Sequence, residues 1–124
     1  MQENTQLNRQ EVQAQAKRNT AKIKDLLKEG NYNSIINGVE LAKQTNALFT
    51  HEFLDLPERL EFFKMGRFYK RYITSLQKEV TESSLEAHKQ KDTAAAAEWD
   101  RMFFELQNCN NYFGELSRCL TLKL

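Results

Sequence analysis

Thr93-Ala94-Ala95-Ala96-Ala97-Glu98-Trp99-Asp100-Arg101-Met102-Phe103-Phe104-Glu105-Leu106-Gln107-Asn108-Cys109-Asn110-Asn111-Tyr112-Phe113-Gly114-Glu115-Leu116 reads as one long amphipathic helix. The alanine run propagates helix because alanine loses no side-chain entropy there. Trp99, Met102, Leu106, Cys109, Phe113, Leu116 and Leu120 recur three or four residues apart, with Phe103 beside them. That spacing places them on one inner face. With Asp92 or Thr93 as cap, the helix is expected over about 93–120. A stripe of this kind has to be covered by other elements.

The rest of the chain supplies helices to cover it. Val12, Ala16, Ile23 and Leu27, with Leu26 alongside, predict a helix over about 5–29, closed by Gly30. Ile35, Val39, Ala42, Phe49 and Phe53 predict a second over about 34–53, capped by Ser34 and interrupted in its stripe by Asn46. Asp55-Leu56-Pro57-Glu58 reads as a cap followed by proline at the first helical position, opening a third helix over about 57–90. Its core side is Phe62, Met65, Tyr69, Tyr72, Ile73, Leu76, Val80 and Ala87. Leu56, Leu60 and Phe63 fall on the other side of its first turns. The pattern changes at Gly66, where a bend is expected.

Four amphipathic helices with short connections predict a single all-α domain, an antiparallel up-down-up-down four-helix bundle. Composition agrees. The chain has 124 residues, one proline and four glycines, too few breakers for the turns of an all-β domain. Its charged fraction, 28%, and hydrophobic fraction, 40%, are those of an ordinary globular protein. No apolar run approaches a membrane span. The polar opening Met1–Asn4 has no signal-peptide character, which leaves two compartments open: the cytoplasm, or the periplasm if a leader has been removed.

The residues exclude several chemistries. The only histidines, His51 and His88, have leucine three positions earlier, so no Glu-x-x-His metal pair exists, and both are expected at the surface. Cys109 and Cys119 are separated by roughly 15 Å of helix, whereas a disulfide needs Cα atoms within about 7 Å. Cys109 on an apolar stripe reads as an inert core thiol. Phosphate-loop and nucleophile-elbow motifs are absent, and no enzyme is expected. The net charge of +1 gives no overall field toward nucleic acid or an anionic membrane.

Phe62 to Tyr72 interleaves aromatic and basic residues. Such a mix can bind single strands by stacking and charge. On a helix, however, Met65, Tyr69 and Tyr72 point inward while Lys64, Arg67, Lys70 and Arg71 share the opposite face, with Phe68 exposed or half-buried. The preferred reading is a core stripe with a solvated back; the sharper one is a basic face for an acidic partner. Nucleic acid is not the expected partner. Leu41 and Leu48 form a second apolar strip on the second helix, which predicts a homodimer through helices one and two.

The stretch from Phe62 to Leu116 resembles the cytochrome c prime family of four-helix haem proteins: an aromatic start to a long third helix, Lys91 to Ala97 leading into helix four, then Trp99, Phe103, Leu106 and a cysteine. In that family helix four carries Cys-x-x-Cys-His, whose thiols attach haem and whose histidine binds iron. Here Cys109 matches the first thiol, Tyr112 stands in place of the second and Phe113 in place of the iron ligand. The resemblance implies the scaffold and a periplasmic, often dimeric protein. The substitutions imply no haem, and no cofactor is expected. The functional expectation is a non-enzymatic binding protein for a small apolar ligand or a protein partner. The alternatives are a cytoplasmic adaptor or chaperone, and an electron carrier with other ligands. The candidate contacts are Cys109, Tyr112, Phe113, Leu41, Leu48, Arg67, Lys70 and Arg71.

Overall fold

A computed structural model describes residues 8–123, and the side chains of residues 8–118. Four helices pack around one apolar core: α1 (Arg9–Glu29), α2 (Tyr32–Leu48), α3 (Pro57–Lys89) and α4 (Thr93–Lys123). A single 3-10 turn, His51–Phe53, lies between α2 and α3, and no strand occurs among the described residues.

Capping chemistry moves the helix starts from their expected places. Asn8 is extended, and its side chain accepts from the Glu11 amide while Glu11 reaches back to the Asn8 amide. This reciprocal box starts α1 at Arg9; the expected start at Thr5 lies outside the described residues. α2 starts at Tyr32 rather than Ser34, because Asn31 accepts from the Ser34 amide. Ser34 is instead buried, its hydroxyl donating to Glu29.

α2 also ends earlier than its stripe predicts, at Leu48 rather than Phe53. Phe49 leaves helical geometry at φ −87°, ψ 66°, and its buried ring packs 6.0 Å from that of Phe62. Thr45, fully buried, takes the inward position next to Asn46, its hydroxyl satisfied by the Leu41 carbonyl. Asp55 does not cap α3. It pairs with Arg9 at 2.7 Å, and the cap position is Leu56, without a side-chain bond. Pro57 opens α3 as expected.

The expected core is largely in place, with three corrections on α3: Tyr69, Tyr72 and Leu76 are only half-buried. On the other side of its first turns, Leu56 and Phe63 are buried and Leu60 is exposed. Gln77 and Ser84 are buried instead, because they face α4 and bond Asn110, Gln107 and Asp100. α3 ends at Lys89 rather than Gln90, and Asp92 caps α4 by accepting from the Ala95 amide at 3.1 Å. α4 continues to Lys123, past the expected 120. The side chain of Leu120 is outside the described set.

The four helices are unequal. α1 and α2 have 21 and 17 residues, α3 and α4 have 33 and 31. Tyr32, the first residue of α2, already reaches Glu105. The α4 segment Thr93–Phe104, roughly 18 Å of helix by its rise, therefore runs on past that end. Exposed Phe104 lies on this segment, and Leu85 lies opposite it on α3.

Candidate functional site

Three of the candidate residues lie where α4 meets the core. Cys109 and Phe113, one turn apart, both face inward, at 5% and 0% exposure. The Phe113 ring occupies the notch left by Gly66, through which α3 runs as continuous helix. A Cβ built at Gly66 would come within 2.8 Å of Phe113 Cδ1, so only glycine admits the ring. Tyr112 is half-buried. Its hydroxyl lies 3.5 Å from the Ala42 carbonyl, and Lys43 sits 5.8 Å over its ring.

Cys109 lines a groove of about 210 Å³ between α2 and α4, with Ile36, Val39, Lys43 and Glu105 among others. Burial pushes this thiol up to about 11, against a smaller opposing pull from Lys43. It is a poor thiolate at neutral pH, and so a poor nucleophile or soft-metal ligand.

This arrangement does not fit a haem. The Phe113 ring is fully buried against α3 at Gly66, and phenylalanine has no lone pair for iron. Among the described residues no group of three or more His, Cys, Asp or Glu could hold a metal ion. His51 and His88 are exposed, with His88 Nε2 3.5 Å from Asp100.

Arg67, Lys70 and Arg71 form a second group on α3. Arg67 and Arg71 are exposed; Lys70 is half-buried, its amine 3.6 Å from where a Cβ of Gly114 would lie. Phe68 is 59% exposed. Leu41 and Leu48 lie half-buried against the core, and Leu48 also lines a groove of about 280 Å³ with Val12, Ala47 and Phe53. The structure thus brings Cys109, Tyr112 and Phe113 together, and Arg67, Lys70 and Arg71 together, as two separate groups.

Two features were missed from sequence. A groove of about 410 Å³ lies between α3 and α4, lined by Thr81, Ser84, Leu85, Asp100, Phe103 and Phe104. Phe104 falls off the inner stripe of α4, which was the available signal. An amide ladder also joins these helices: Asn110 donates to Gln77, Gln77 to Gln107 at 2.9 Å, and Gln107 to Asn111 at 3.0 Å. Asparagine and glutamine on an apolar stripe carry no comparable signal.

No helix among the described residues is long and apolar enough to cross a membrane. Comparison with family models, curated proteins and solved structures finds no match to this chain.

Proposed function

We propose that this chain is a non-enzymatic binding protein that works from the outside of a four-helix scaffold resembling cytochrome c prime without its haem. The observation that carries this reading is the Phe113 ring seated on Gly66, which fills the interior at the place of the family's iron ligand. The raised thiol of Cys109 points the same way, since it disfavours both nucleophilic and metal-ligating roles.

The scaffold itself is proposed as up-down-up-down. Ser84–Asp100, Gln77–Gln107 and Gly66–Phe113 support opposite directions for α3 and α4. Arg9–Asp55 and Gln13–Glu58 support a common direction for α1 and α3, as Tyr32–Glu105 and Ala42–Tyr112 do for α2 and α4. A homodimer through α1 and α2 is proposed on Leu48 and its neighbouring groove. A periplasmic location follows only from the family likeness, with the cytoplasm as the alternative.

The test is the visible absorbance of protein purified from haem-replete cells. The expected spectrum has no Soret band. A Soret band at one haem per chain would overturn the reading.

A further inference from the structure

We infer that the α3 face formed by Arg67, Phe68, Lys70 and Arg71 binds a short acidic polypeptide segment of another protein. This rests on the surface-acting reading above and names its partner. Between Glu61 and Glu79 the chain has no acidic residue, while Lys64, Arg67, Lys70, Arg71 and Lys78 fall within that interval. Lys64 reaches Glu61 at 4.0 Å. Among the described residues no carboxylate lies within ion-pair distance of Arg67, Lys70 or Arg71.

Arg71 is held in place rather than left to roam. Its guanidinium lies 4.9 Å from the Phe68 ring centroid and 5.2 Å from that of Tyr72, and it donates to the Tyr72 hydroxyl at 3.4 Å. Tyr69 fixes both rings, meeting Phe68 edge-on at 5.1 Å and stacking on Tyr72 at 5.7 Å. Nη2 gives one N–H to Tyr72, which leaves one edge of the guanidinium fork to take a carboxylate by two parallel bonds. Ordering it in advance lowers the entropy cost of binding.

The same packing argues against nucleic acid. Base stacking needs free ring faces, and here Tyr69 stacks on Tyr72 while Arg71 lies over the rings of Phe68 and Tyr72. A long polyanion following α3 would also run into Glu61 at one end and Glu79, Glu82 and Glu86 at the other. A short carboxylate-bearing segment fits between those ends, with an apolar side chain against Phe68.

The experiment uses the full chain and fluorescence anisotropy at low salt. The probes are a labelled peptide of about twelve residues with glutamates flanking a central leucine, an oligothymidylate of matched charge, and phosphatidylserine vesicles. Lys64 to Lys78 spans roughly 21 Å of helix, about six or seven extended residues, so the peptide covers the patch with a few residues to spare at each end. The peptide is expected to bind best. R71Q and R67Q should each weaken it about tenfold, as for a lost charge-assisted pair. R71K should also weaken it, because an ammonium has no fork, while R18Q on α1 should leave it unchanged. Circular dichroism checks that each exposed-site variant keeps its helix. Peptide binding indifferent to R67Q and R71Q, no peptide binding at all, or tighter binding of the oligonucleotide or vesicles would each overturn the inference. None of these outcomes bears on haem loading, so the two readings fail separately.

Discussion

Phe113 and Gly66 are a matched pair: the ring on α4 fits only because α3 has no side chain at that point. The ring is fully buried. Gly66→Ala gains about 1 kcal/mol of helix propensity but forces an overlap of the kind that costs roughly 1–3 kcal/mol. A net loss of stability is expected in urea unfolding. Phe113→Leu should recover part of it in the double variant while costing stability alone, and simple additivity of the two changes would disprove the coupling.

Cys109 should be slow to react. In a C119S background, alkylation at pH 8 is expected to proceed only as fast as the protein opens, and to become rapid in denaturant. The folded thiol is raised from about 9.0 to about 11, so the folded state holds its proton longer than the unfolded one. Stability is therefore lost as pH rises through that window. Cys109→Ala should remove that part of the alkaline decline, measured as the difference between the two unfolding profiles.

Asp100 has the opposite sign. The Ser84 hydroxyl, and after it His88, hold its carboxyl below the ordinary 3.8 against some desolvation. Its contribution is complete above that value and lost as pH falls through the lower folded value. Ser84→Ala should move the Asp100 titration upward in NMR, and Asp100→Asn should flatten the acid limb of the stability profile below about pH 4.

The start of α1 depends on one side chain. Asn8→Ala should cost about 1 kcal/mol and increase amide exchange over the first turn. Glu11→Gln should cost less, because a glutamine oxygen can still complete the box.

Most of the helical layout was legible from residue spacing. Val12, Ala16, Ile23 and Leu27, like Leu106, Cys109, Phe113 and Leu116, were placed in the core by a period of three to four alone, and all are buried. The errors cluster where a residue has two possible jobs. Ser34 and Asp55 are both good cap residues by type, yet Asn31 caps α2, Ser34 bonds Glu29, and Asp55 is drawn off by Arg9 from far along the chain. Tyr69 and Tyr72 satisfy the apolar period, but their rings lie in the half-buried cluster around Arg71.

The sequence by itself determined four amphipathic helices and their approximate bounds, because helix periodicity is a local property. Only the tertiary structure decided that Gly66 serves as the seat of Phe113 and that α3 and α4 outrun α1 and α2. These depend on which residues meet across helices, and a one-dimensional period carries no information on distances between separate elements.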